Sequence, residues 1–247
     1  GIITETTMVS FVTRYSYTDG CVQSVNWAEG EFQSWGYTTE QFQHTSGMAP
    51  NVIAWKTGSE NPDDIWVVGG HLDSISNNNP STLAPGADDN GTGSALTMCC
   101  ANLAQNLNFA DTVVFALWTG EEQGLYGSDA WAEWAANQGL NIQGYYNFDM
   151  IGWVDPSPED LDVLVNSASQ SFGQDFVDIA DLYTSMLHDL QVENVTASDH
   201  YSFWQEGYTA FCAIEDYWPT YPYYHTDNDT IDKVDFPFFT EVTKAMV

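Results

Sequence analysis

The stretch Val113–Ser128, VVFALWTGEEQGLYGS, constrains the fold more than any other part of the chain. Six apolar residues in a row, Val113 to Trp118, read as a strand buried on both faces. Thr119-Gly120 end it, and two adjacent carboxylates follow, Glu121 and Glu122. Ser128 then stands where it would cap a helix running from Asp129 to about Asn137. In open α/β sheets ligands bind beyond the carboxyl ends of the strands, so the acid pair occupies a ligand position. Two like charges side by side repel. A metal ion is the strongest candidate to hold them in a chain with 35 acidic and 4 basic residues.

The same rhythm recurs along the sequence. Helical spacing predicts helices over 5–14 and 24–35, followed by strands near 40–43 and 51–56. Ile65 to Gly70 is a short apolar strand that ends at His71-Leu72-Asp73-Ser74. A helix is expected over 94–107, strands over 143–148, 161–166 and 209–214, an amphipathic helix over 172–187, a short one after Ser198, and a last one over 238–246. Strands alternating with helices, without a linker or repeat, indicate an α/β sandwich on a mostly parallel sheet, one domain over residues 1–247.

Composition removes several function classes. A net charge of −31 leaves no basic patch for phosphates, so neither nucleic acid nor an anionic membrane is an expected partner. No apolar run approaches the roughly 20 residues of a membrane span. The acidic surface reads either as a solubilising coat or as an adaptation to salty water, where counterions screen self-repulsion. Cys21, Cys99, Cys100 and Cys212 show no C-x-x-C spacing, which argues against a thiolate zinc site and leaves their pairing open.

Five polar clusters follow strands or lie on loops: His71/Asp73, Asp88/Asp89, Glu121/Glu122, Asp149 and His225. Each alone has an ordinary explanation, such as a helix cap or a hydrogen-bonded structural histidine. Together, at the strand ends of one sheet, they converge, and two imidazoles with several carboxylates suit zinc. Two such ions about 3.5–4 Å apart can clamp a hydrolytic water and the oxygen it attacks.

The segments GGHLDS (69–74), PGADDNGTG (85–93), TGEEQGLYGS (119–128), NFDMIG (147–152), SDH (198–200) and YHTDNDT (224–230) resemble, in order, the motifs of the M28 family of zinc aminopeptidases. The resemblance implies a three-layer α/β/α zinc-exopeptidase fold and two Zn2+ ions. One would be held by His71 and Asp149, the other by Glu122 and His225, with Asp89 bridging and Asp88 left as a turn residue or as the alternative bridge. Glu121 would be the general base that activates a zinc-bridging water and passes its proton to the leaving amine. Asp73 would orient the His71 imidazole. Tyr224 matches an oxyanion-stabilising tyrosine, or else is a packing aromatic.

The family also includes carboxypeptidases and glutaminyl cyclases, and a non-catalytic metal module is a further alternative, so the site must decide. A carboxypeptidase needs a cation for the substrate carboxylate. Arg14 and Lys244 fall on predicted terminal helices and Lys56 on an early strand, leaving only Lys233 within reach of the site. Peptides with a free N-terminus are therefore the expected substrates. An apolar specificity pocket is expected from Met150, Ile151, Phe211, Cys212, Tyr217, Trp218, Tyr221 and Tyr223, which favours large apolar residues such as Leu. The resemblance further implies a secreted protein, and a monomer is expected.

Overall fold

Apolar runs become strands, and the order in which they pair follows from the handedness of the connections. The computed structural model describes residues 2–155, 160–216 and 218–247. Its strands are β1 (Thr38–Phe42), β2 (Asn51–Lys56), β3 (Asn61–His71), β4 (Asp111–Trp118), β5 (Asn141–Phe148), β6 (Asp160–Val165), β7 (Leu187–Val192) and β8 (Ala210–Glu215). They form one sheet in the order β1-β2-β4-β3-β5-β8-β6-β7. β3 pairs in parallel with both β4 and β5, as do β5 with β8 and β6 with β7. The pairs β1–β2, β2–β4 and β6–β8 are antiparallel.

The helices are α1 (Ile2–Val9), α2 (Asp19–Ser34), α3 (Gly93–Ala104), α4 (Tyr126–Gln138), α5 (Gln170–Tyr183), α6 (His200–Gln205) and α7 (Phe236–Met246). The chain leaves β3 for β4 through α3, then crosses back over β3 to β5 through α4. Right-handed crossovers in opposite directions put the two helices on opposite faces. Leu96 and Met98 of α3 accordingly join Val25, Phe176 and Val242 in one core, while Trp131 of α4 joins Trp118, Tyr145 and Phe203 in another. This is the three-layer sandwich that the sequence implied. The reversal of direction at β3 opens a crevice at the strand ends, where the chain emerges at His71, Thr119 and Asp149.

Two glycines let the backbones meet at that crevice. A Cβ on Gly70 would lie 2.6 Å from the Phe148 carbonyl oxygen, and one on Gly93 would run into the same atom. The start of α3 therefore sits directly on the ends of β3 and β5. Asn90 locks this arrangement: its Nδ2 donates to Phe148 O at 2.8 Å, and its Oδ1 accepts from Gly93 N at 2.9 Å and Met150 N at 3.2 Å.

Three expectations about elements fail. Ser128 is not a cap: α4 already begins at Tyr126 and holds Ser128 inside it, its Oγ 3.2 Å from Leu125 O. The first helix ends at Val9, not Arg14, because Val12 takes φ 66° and Thr13 bridges Ala84. The helix expected over 172–187 ends at Tyr183, and Leu187–Val192 is instead an outer strand paired with β6. Among the described residues no helix is long and apolar enough to cross a membrane.

Candidate metal centre

His71 ends β3 and is 1% exposed. Its Nδ1 lies 3.1 Å from the Asp73 carbonyl oxygen. A carbonyl can only accept, so Nδ1 carries the proton and Nε2 is left as the ligand atom. The Asp73 carboxylate stands 3.5 Å from the same Nδ1, and is itself held by Ser16 Oγ at 2.8 Å and the Glu121 amide at 3.4 Å. Asp73 thus orients the ring through its backbone as well as its side chain. It also ties the β3 end to the loop after β4.

Asp89 lies in the turn before α3. Asp229 fixes that turn by accepting from the amides of Asp88 and Asp89, both at 3.0 Å. The Asp88 side chain turns toward Thr92 Oγ1, 3.4 Å away, while Asp89 turns into the cluster. Asp89 Oδ1 is 3.3 Å from His71 Nε2, and its Oδ2 is 3.2 Å from His225 Nε2. Asp149 Oδ1 is 3.4 Å from His71 Nε2, and Glu122 Oε2 is 3.0 Å from His225 Nε2. Glu121 Oε2 stands further back, 4.0 Å from His71 Nε2. Asp149 is steadied by Ser198, whose Oγ donates to Oδ2 at 2.6 Å. The Tyr224 ring stacks on His225 with centroids 3.8 Å apart.

Without a cation this cluster is strained electrostatically. Burial pushes the Glu121 carboxyl well above its usual range; His71 opposes the shift, while Asp199, Glu122 and Asp149 add to it. Burial and then Asp89 raise Glu122 to about 8. Burial alone would lower His225, but Asp89 and Glu122 carry it up to about 10. Asp89 is pulled the other way: the two imidazoles close to its oxygens outweigh burial and hold it well below the usual carboxylate range.

The residues fit a metal. Asp89 Oδ2, Glu122 Oε1 and Asp149 Oδ1 are buried oxygens with no hydrogen bond of good geometry. Ligand atoms of His71, Asp89 and Glu122 all lie within 4.8 Å of one another. In a tetrahedral zinc site with bonds of 2.0–2.1 Å, ligand atoms lie about 3.3 Å apart. The spacings of 3.0–3.4 Å around His71 and His225 match that separation.

Beside the cluster opens a cleft lined in part by Met150, Leu164, Val195, Cys212, Ile214 and Trp218. Four residues expected there do not line it. Phe211 and Ile151 belong to the main core, Phe211 packing on Tyr146, Phe148, Phe172 and Phe176 across the sheet. Side chains alternate along a strand, so β8 sends Cys212 and Ile214 to the cleft and Phe211 to the other face. Tyr221 is buried and donates from its hydroxyl to Asp229 at 2.8 Å, and Tyr223 meets Tyr221 edge-on beneath Lys233. Tyr217 lies outside the described residues. Leu164, Val195 and Ile214 were missed, although parity from Cys212 points to Ile214. Asp199, buried beside Ser198 in the SDH segment and raised by burial to about 7, also went unassigned.

The fold and donor set together describe a metallohydrolase. Residues 51–247 match the description "Peptidase family M28". The chain is 31% identical over 257 residues to a probable aminopeptidase of Saccharomyces cerevisiae, covering 96% of this chain and 68% of that one. It is 30% identical to a probable leucine aminopeptidase of Arthroderma otae, covering 98% and 68%. The solved aminopeptidase of Legionella pneumophila superposes with a TM-score of 0.87 at 23% identity, covering 100% of this chain and 69% of that one. The chain belongs to peptidase family M28.

Proposed function

We propose that this metallo-aminopeptidase works with two zinc ions and removes large apolar residues such as Leu from the N-terminus of peptides. The observation that carries the reading is Asp89, which offers Oδ1 to the His71–Asp149 group and Oδ2 to the Glu122–His225 group. One carboxylate facing two separate nitrogen–oxygen sets is what a bridging ligand requires. Zinc bound there would supply Lewis acidity and a water of lowered pKa.

The protein's own groups do the rest. Glu121, standing 4.0 Å from His71 Nε2 where the cluster meets the cleft, takes the proton from the attacking water and returns it to the leaving amine. Tyr224 keeps its proton, because burial and the charges of Asp89 and Asp149 push its pKa far up, so it can donate to the tetrahedral oxyanion. The apolar wall of Met150, Leu164, Cys212 and Ile214 takes the substrate side chain. Lys233 pairs with Asp232, Lys244 with Glu241, and Lys56 reaches Gln105 O, and among the described residues no Lys or Arg lines the cleft to hold a substrate carboxylate. The carboxylates there suit a protonated α-amine instead.

Initial rates on leucyl-p-nitroanilide, before and after chelation and zinc add-back, test this. Glu121→Gln should retain zinc and lose about 10²–10⁴-fold in kcat. A fully metallated protein inactive on every free-amine substrate would overturn the reading, and N-terminal glutamine cyclisation would then be assayed. The same reading takes the chain as one secreted, monomeric peptidase domain whose acidic surface suits salty water. A melting temperature indifferent to salt up to molar concentration would remove the last point.

A further inference from the structure

Arg14 is one of four basic residues in the chain, and it is 1% exposed. Burying a cation is costly unless it is well hydrogen-bonded. Its guanidinium meets four backbone carbonyls, one of them the Met8 O of α1, 3.4 Å from Nη1, and the other three closer. Nε donates to Leu72 O at 2.7 Å, Nη1 to Pro85 O at 2.7 Å, and Nη2 to Gly86 O at 2.8 Å. The backbone repeats the stitch: Arg14 N donates to Ser74 Oγ at 3.1 Å, and Ser74 N donates to Arg14 O at 3.3 Å. Ser74 Oγ in turn donates to Ala84 O at 2.7 Å.

The two segments joined in this way are two of those that carry metal-facing groups. Leu72 lies between His71 and Asp73, and Pro85-Gly86 open the turn that delivers Asp89. The rigid planar fork of arginine suits a task in which three acceptors must be held at fixed angles, which a single ammonium cannot do. Glu122 hangs from the end of β4 and His225 from the segment between β8 and α7, and the Arg14 hydrogen bonds named here go to neither.

We infer that Arg14 is a positioning residue: by clamping the carbonyls of Leu72, Pro85 and Gly86 it sets the separation of His71 from Asp89. It thereby tunes the metal position of His71 and Asp149 most, while the Glu122–His225 position, which shares only Asp89 with the clamped segments, is affected less. The inference rests on the two-ion reading above. A general structural role would weaken both positions together, so selectivity is the signature.

The test is a zinc titration of metal-free protein against a competing chelator, for wild type and Arg14→Lys, with near-ultraviolet circular dichroism to confirm folding. The wild type should bind two ions. Arg14→Lys should bind one ion about 10–100-fold more weakly and the other more weakly by a clearly smaller factor, through the shared Asp89 alone. Equal weakening at both positions, or none, overturns the inference. Ser74→Ala loosens the same stitch without stranding a buried charge, and should give a smaller loss at the same position. That variant decides the question if Arg14→Lys does not fold, since unchanged or evenly weakened binding in it is equally fatal. A wild type that binds a single ion instead overturns the two-ion reading, and that result comes from the wild-type curve alone.

Discussion

The two imidazoles of the site come from opposite kinds of structure. His71 ends a central parallel strand, 1% exposed, with its carbonyl taken by Ser94 Oγ at 2.7 Å and its ring fixed by Asp73. His225 sits on the segment between β8 and α7, its side chain 26% exposed, at φ 53°. A non-glycine residue in that left-handed region persists only when its surroundings hold it there. Here they are the Tyr224 ring and the Asn77 amide, which donates to the His225 carbonyl at 2.8 Å. One half of the site is thus built by the sheet, and the other is brought to it by a late loop. Sheet geometry is shared with the core, so damage to the His71 half should spread into stability, while damage to the His225 half should stay local.

The largest contrast is expected from His71→Ala and His225→Ala in metal-free protein. Removing His71 leaves the buried Asp89 and Asp149 without their shared imidazole, a loss of about 3–5 kcal/mol by analogy with broken buried pairs. His225→Ala should cost clearly less, although both variants lose catalysis. Urea unfolding after chelation measures the difference. Equal destabilisation would break the contrast between a sheet-built and a loop-built half.

Proton linkage should separate metal-free from loaded protein next. His225 has its folded pKa raised from 6.5 to about 10 and Glu122 from 4.5 to about 8, so the folded state holds extra protons. For both groups the folded state gains at low pH, and that stability is lost as pH rises through the folded values. Metal-free protein should therefore weaken between about pH 4.5 and 10, Glu122 contributing from about 4.5 to 8 and His225 from about 6.5 to 10. Zinc requires deprotonated ligands, so its affinity rises over the same range. The gap in urea midpoint between loaded and metal-free protein should widen steadily with pH, and His225→Ala should flatten the metal-free slope. A metal-free midpoint that climbs with pH would refute this account.

The same contrast explains what could be read from the sequence. The β3, β4 and β5 runs are legible because strands buried on both faces must be continuously apolar, and the acids that follow them stand at the crevice by topology alone. β7 was not legible. Leu187, Leu190 and Val192 continue the apolar spacing of α5, and only pairing with β6 makes the segment a strand. Arg14 was misread for a similar reason, because the carbonyls that draw it inward belong to residues about 58 to 72 positions away. Strand parity lets only one of the neighbours Phe211 and Cys212 face the cleft, so the expectation of both there could not hold. Asn90 and Asp229 could not be assigned without the turn they hold.

The smallest effect expected lies at the contact between the halves, Tyr224. Its ring stacks on His225, and its hydroxyl stays protonated, so ring and hydroxyl can be tested separately. Tyr224→Phe keeps the stack and removes the donor. If the hydroxyl stabilises charge only in the transition state, kcat falls about tenfold, or ~1.4 kcal/mol, with KM nearly unchanged. Tyr224→Ala also removes the support of a strained His225 and should lower zinc affinity as well, chiefly at the Glu122–His225 position. Should Tyr224→Phe match wild type while Tyr224→Ala loses zinc, the tyrosine serves the loop-built half by packing alone. The charge on the tetrahedral oxyanion would then have to be met without this hydroxyl.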